Sequence, residues 1–179
     1  ILTNVANSDS KAAYPPLELR GLIEQVFQDL EETMRVPGVT FSLEGDCTIR
    51  AKHDDVYIAV IRMLQWLVRR RIETPPETEQ KISVRCVEDG NASHIIFEDC
   101  SIRLPGTVRE QLFIPFSVSA VAPAGTKPLG PGLYLPLFLA KMLVEEKYGG
   151  GLEDKSDEIE GNIGHRLMMS FPTLNRQME

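Results

Sequence analysis

The chain is poor in aromatic residues, at 7% with a single tryptophan, and it has no basic excess. Its 19 lysines and arginines stand against 26 aspartates and glutamates, a formal charge of −7 over 179 residues. A nucleic-acid or anionic-membrane surface normally carries the opposite sign, so neither is expected as a partner. No apolar run approaches the ~18 residues that a membrane-spanning helix needs. Three cysteines, Cys47, Cys86 and Cys100, form no CxxC pair and leave one over from any disulfide. Reduced thiols in a cytoplasmic protein are expected. Together with His53, His94 and His165 they are too dispersed for a zinc cluster, and no Ser/His/Asp or Cys/His arrangement is legible. What is present is a 42% hydrophobic fraction spread along the length, enough for one globular core and too much for a disordered chain. The chain begins at Ile1, with no charged segment ahead of an apolar one, so it reads as a piece of a longer protein.

Residues 1–16 are small and polar after Val5 and read as the end of an upstream helix plus a linker, closed by Pro15-Pro16. From Leu17 to about Arg35, Leu19, Leu22, Ile23, Val26, Phe27, Leu30 and Met34 recur at spacings of three and four, the pattern of an amphipathic helix stopped by Pro37-Gly38. Val39, Phe41 and Leu43 alternate as a strand, and Glu44-Gly45-Asp46 turns into Cys47–Ala51. A second, largely buried helix starts near Asp54 and ends in Arg69-Arg70-Arg71, with Trp66 expected in the core. Ile82 to Val87 and Ile95 to Phe97 predict two strands joined at Gly90-Asn91. A short helical piece, Val108 to Leu112, leads into Phe113-Ile114-Pro115-Phe116. Ser117 to Pro131 is a long loop of the kind that is usually functional or mobile. A helix from about Gly132 to Tyr148 and strands near Leu152 and over Arg166–Phe171 complete the domain, which spans 17–173; residues 174–179 are a tail. No internal repeat is visible. The order α-β-β-α-β-β-loop-α-β-β predicts an α/β two-layer sandwich, helices covering one face of a mixed, mainly antiparallel sheet.

This succession, from about Leu17 to Pro172, resembles the catalytic, ATP-binding domain of sensor histidine kinases, within the wider group that shares the Bergerat ATP-binding fold. Asp99 follows the strand Ile95-Ile96-Phe97-Glu98, where the family has its adenine-reading aspartate; a strand-end carboxylate can accept from an exocyclic amine. Phe113-Ile114-Pro115-Phe116 is similar to the family's phenylalanine segment. Gly130-Pro131-Gly132-Leu133-Tyr134-Leu135 is similar to its second glycine box, with Gly130 and Gly132 in place before a helix start, where backbone amides approach phosphate. Leu104-Pro105 and the run from Gly164 to Pro172 fit the remaining landmarks. The resemblance implies ATP with magnesium as ligands, a helical dimerisation and phospho-acceptor domain of the same protein as neighbour, a response regulator as partner, and a dimer in the full-length parent.

The departures fall at the chemistry. Both glycines of the first box are replaced, by Ser101 and Arg103, and Tyr134 stands for a third glycine in the second. On the second helix the two asparagines correspond to Gln65 and Arg69. The family holds magnesium with the second of them, whereas arginine has no acceptor to offer a cation. Arg69 is then either a solvated helix end or a fixed positive charge in the metal's place, and Lys127 in the loop is either solvated or turned to a phosphate. Two functions compete. One is an ATP-dependent kinase domain that presents the γ-phosphate to a histidine on its neighbour, with Asp99, Gln65, Arg69, Lys127, Gly130 and Gly132 around the nucleotide. The other, favoured by the replacements, is a pseudokinase that binds Mg-ATP weakly or not at all and serves as an interaction module. An anti-sigma-factor-type kinase of the same fold is a third alternative. Magnesium is not expected to bind.

Overall fold

The computed structural model describes residues 14–35, 37–71, 79–115 and 135–173. In chain order the elements are β1 (Pro16–Glu18), α1 (Leu19–Met34), β2 (Val39–Glu44), β3 (Thr48–Arg50), α2 (His53–Arg71), β4 (Gln80–Glu88), β5 (Ala92–Glu98), α3 (Gly106–Arg109), α4 (Leu135–Met142), β6 (Gly151–Asp154) and β7 (Arg166–Pro172). A wider π-type turn, Leu143–Lys147, continues α4, and a short 3-10 turn, Ser156–Glu158, follows β6.

Five strands form one sheet in the order β2-β4-β5-β7-β6. β2 runs parallel to β4 and every other pair is antiparallel, so the sheet is mixed and mainly antiparallel, as the sequence order implies. Alternation decides which face is buried. Ile82 and Val84 of β4, Ile95 and Phe97 of β5, and Leu167, Met169 and Phe171 of β7 are at most 1% exposed and meet the helices. From α1 the core takes Leu19, Leu22, Ile23, Val26 and Leu30; from α2 it takes Val60, Met63, Leu64, Trp66 and Leu67. Among the described residues, the result is helices on one face of the sheet and no covering layer on the other.

Two local features refine the sequence reading. Leu17 does not open the first helix. Pro16–Glu18 instead pairs antiparallel with β3, Leu17 opposite Ile49, because Arg50 Nη1 donates to the Tyr14 carbonyl (3.1 Å) and draws the incoming chain alongside β3. α1 therefore starts at Leu19 with no capping side chain of its own. Its first amides are met from a distance: Leu19 N–H donates to the Cys47 carbonyl (3.1 Å), and Arg20 N–H to Asp46 Oδ1 (3.1 Å). The turn that supplies these acceptors needs Gly45. Its φ is +74°, and a Cβ there would lie 2.3 Å from the Cys86 carbonyl oxygen.

Of the predicted helix from Gly132, the described part begins at Leu135, and the loop preceding it, with the linker 1–13 and the tail 174–179, lies outside the described residues. No helix among the described residues is long and apolar enough to cross a membrane.

Candidate functional site

Asp99 stands where the sequence places it, one residue past β5, and its side chain is fully buried. A carboxylate has about four acceptor directions. Oδ1 accepts from the His165 backbone N–H (2.8 Å) and from His165 Nδ1 (3.1 Å). Oδ2 accepts from the Ser101 hydroxyl (2.6 Å) and, more distantly, from Gln80 Nε2 (3.4 Å). The Leu104 N–H donates to His165 Nε2 (3.0 Å), so the proton of the neutral ring sits on Nδ1 and is aimed at Asp99. Ser101 Oγ lies 3.2 Å from the same Nδ1. Burial pushes the Asp99 carboxyl up, but the hydrogen bonds from the His165 side chain, the Ser101 hydroxyl and the His165 amide outweigh it and hold it below the ordinary carboxylate value. Asp99, Ser101 and His165 thus form a closed, buried polar network.

Ser101 and Arg103, which follow Asp99 in the chain, each have a clear structural role. Ser101 is the network's hydroxyl. Arg103 turns the other way and clasps the 159–164 loop: Nε donates to the Gly164 carbonyl (2.9 Å), and Nη2 donates to the carbonyls of Ile159 (3.0 Å) and Ile163 (3.2 Å). Backbone bonds complete the seam, Gly164 N–H to the Ser101 carbonyl (2.8 Å) and Arg103 N–H to the Asn162 carbonyl (3.1 Å). Gly164 has φ +91°, and a Cβ on it would lie 2.8 Å from the Asp99 carbonyl oxygen. Gly164→Ala should therefore cost about 1–3 kcal/mol of folding free energy, the usual range for a residue forced into a sparsely populated backbone region. Urea denaturation of the variant checks this.

On α2 the residues turned toward this seam are one position later than the sequence comparison places them. Gln65 is half-buried, 3.5 Å from Arg62 Nη1, and Arg69 is exposed. Trp66 and Arg70, four apart and on one helical face, are the inward pair. The Trp66 ring meets His165 edge-on, with centroids 5.5 Å apart and planes at 82°. Arg70 is 6% exposed, and its Nη2 donates to the Ile102 carbonyl (3.1 Å). Trp66 is core as expected, but it also forms the wall of the Asp99 network. The signal for this lay in helical phase: Met63, Leu64 and Leu67 are fully buried, which turns 66 and 70 inward and leaves 69 outside.

Phe113 is half-buried with Lys141 Nζ 5.4 Å from its ring centre. Phe116, Lys127, Gly130, Gly132 and Tyr134 lie outside the described residues. α3 is fixed by Arg109, 9% exposed, which pairs with Asp154 (2.6 Å) and Asp157. These residues line a surface cleft of about 450 Å³ with Gly106, Phe113 and Lys141, and Asp99 is not among its walls. No group of three or more His, Cys, Asp or Glu side chains among the described residues is arranged to hold a metal ion.

The layered sheet, the strand-end aspartate and the glycine that closes on it define a class of fold, that of the catalytic domain of histidine kinases. Comparison with solved structures bears this out at the level of fold. The mycobacterial sensor histidine kinase MprB superposes with a TM-score of 0.70 at 20% identity, over 88% of this chain and 97% of that one. The nucleotide-free catalytic domain of histidine kinase ThkA gives 0.67 at 19% identity, over 89% and 96%. A structure of ThkA in complex with the response regulator protein TrrA gives 0.65 at 16% identity, over 92% of this chain and 43% of the longer kinase. No protein-family model and no curated protein matches the chain.

Proposed function

We propose that the chain is the catalytic-domain homologue of a cytoplasmic, sensor-histidine-kinase-like signalling protein, and that it is a pseudokinase. It binds Mg-ATP weakly or not at all and acts through protein contacts. The observation that carries this reading is the state of Asp99. The acceptor that should read an adenine amine is fully buried, and its two oxygens take four donors from the chain itself. Trp66 and Arg70 support it, because neither side chain offers an oxygen acceptor to a divalent cation. A helical dimerisation and phospho-acceptor domain and a response regulator are the partners of this reading; a structural neighbour is itself a kinase bound to its response regulator.

A second reading keeps an active, nucleotide-binding domain. The Gly130-Pro131-Gly132 motif ahead of α4 favours it, with Lys127 and both glycines on the phosphates. Calorimetric titration with ATP and ADP, with and without magnesium, separates the two. The pseudokinase reading expects no heat and no rise in melting temperature at millimolar nucleotide, where a micromolar ligand would add roughly 4 kcal/mol of stability. Micromolar binding that disappears in Asp99→Asn overturns it.

A further inference from the structure

The sheet face turned away from the helices, which no described element covers, holds a second cluster that neither the kinase nor the pseudokinase reading uses. His94 of β5 and Ser170 of β7 are directly paired across the two strands, and both belong to the alternating set that points away from the helices. His94 Nδ1 lies 2.8 Å from Ser170 Oγ, and His94 Nε2 lies 2.9 Å from Asp89 Oδ2. Asp89 is itself held: its Oδ1 accepts from the backbone amides of Asn91 and Ala92, each at 2.9 Å. A carboxylate fixed in this way makes Nε2 the protonated nitrogen, which leaves the Nδ1 lone pair facing the serine hydroxyl. Hydroxyl, base and orienting acid therefore stand in one hydrogen-bonded line, the acid five residues from the base and the hydroxyl 76 residues away. On the other side of Ser170 the opposing residue is Gly151 of the edge strand β6, and a Cβ built there meets nothing within 4 Å. The serine thus has open space on the flank away from its base.

We propose that Ser170, His94 and Asp89 form a nucleophilic triad on the sheet face turned away from the helices, and that Ser170 is a site of O-acylation by activated esters. In the step, Ser170 Oγ bonds to the acyl carbon while its proton passes to His94 Nδ1. The bond from the acyl carbon to the leaving oxygen breaks, and an aryloxide departs with the electron pair. The products are O-acyl-Ser170 and a phenolate that takes its proton from the imidazolium or from water. Ser170 is the catalytic residue and His94 its base; Asp89 is a positioning residue that selects the tautomer. The substrate class follows from the chemistry present. The three residues supply attack and base catalysis, so a donor whose leaving group departs without protonation is suited, and an amide is not. Asp89 fits this role electrostatically: the bond to His94, then those from the Ala92 and Asn91 amides, pull its carboxyl down to about 2, so it is ionised throughout the range in which imidazole is neutral. Of the other charges on this face, Glu98 pairs with Arg166 at 2.6 Å and faces Arg85 at 3.9 Å, Glu153 pairs with Lys155 at 2.7 Å, and Lys81 and Glu44 are exposed on β4 and β2.

The test is incubation of the chain with p-nitrophenyl acetate, following nitrophenolate release and mapping the acetyl group by peptide mass spectrometry. The expected result is one acetyl group per chain, on Ser170, absent in Ser170→Ala. Release should slow by about 10²-fold in His94→Gln, the usual contribution of a general base. Asp89→Asn, a substitution at a half-exposed turn, should slow release about tenfold or more and distort the pH–rate profile, which a purely structural aspartate would not do. Acetylation scattered over lysines, or labelling of Ser170 at an unchanged rate in Asp89→Asn and His94→Gln, overturns the proposal. Circular dichroism of each variant confirms that the fold is intact. The result is independent of nucleotide binding, so it stands or falls apart from the pseudokinase reading.

Discussion

Asp99→Ala is expected to destabilise the domain by about 3–5 kcal/mol in the complete absence of nucleotide, the range found when one partner of a buried polar or charged pair is removed. The substitution leaves the His165 amide, the His165 Nδ1–H and the Ser101 hydroxyl without their acceptor at a site where water does not reach. A nucleotide-reading aspartate behaves differently: its loss removes ligand-induced stabilisation and changes the free domain little. Chemical denaturation without ligand therefore discriminates between the two roles, and an Asp99→Ala domain as stable as the parent would remove the main support for the pseudokinase reading. Acidification gives an independent arm. The folded-state pKa of Asp99 lies below its ordinary value. Its contribution is therefore fully present above the ordinary carboxylate pKa of about 3.9 and is lost as pH falls below that toward the folded value. Asp99→Asn has no such ionisation. The stability gap between parent and Asp99→Asn should accordingly be constant from pH 5 to 7 and narrow below about pH 4, as urea midpoints at each pH would show.

Trp66→Ala is expected to have an effect of similar size, about 3–5 kcal/mol, from lost burial and the cavity left behind. In a domain of this length that lowers the melting temperature by roughly 6–20 °C, which differential scanning calorimetry resolves. The ring is 1% exposed and is the edge-on neighbour of His165, so its removal also loosens the tautomer that donates to Asp99. Trp66→Phe should retain most of the stability. It keeps an aromatic ring in the cavity and deletes an indole N–H that has no partner among the described residues. Neither variant should gain ATP binding, because the donors that occupy Asp99 come from elsewhere. Nucleotide-dependent stabilisation appearing in Trp66→Ala would mean that the indole alone closes the pocket.

The order of elements was legible because each carries its own local pattern. The three- and four-residue spacing from Leu19 to Met34, the alternation in Val39-Thr40-Phe41-Ser42-Leu43 and the strand ending at Asp99 all survive in the structure. The short strand Pro16–Glu18 was not legible. Three residues carry no period, and their pairing depends on Arg50 reaching the Tyr14 carbonyl. The helical phase of α2 was legible in part: its apolar residues mark it as buried on most sides, and when nearly every face is apolar the pattern does not say which polar neighbour points inward. Gln65 and Arg69 were therefore expected to face the nucleotide, and the α2 side chains that meet His165 and the Ile102 carbonyl are Trp66 and Arg70.

By itself the sequence determined the fold class and the position of Asp99 at a strand end, since both follow from local periodicity and from residue type. Only the tertiary structure decided which groups Asp99 meets. Its principal donor, His165, lies 66 residues further along the chain, and the Ser170–His94 bond spans 76. Hydrogen bonds of that reach depend on strand register and on which face each side chain takes, and both are set by the packing of the whole sheet against its helices and not by any stretch of sequence alone.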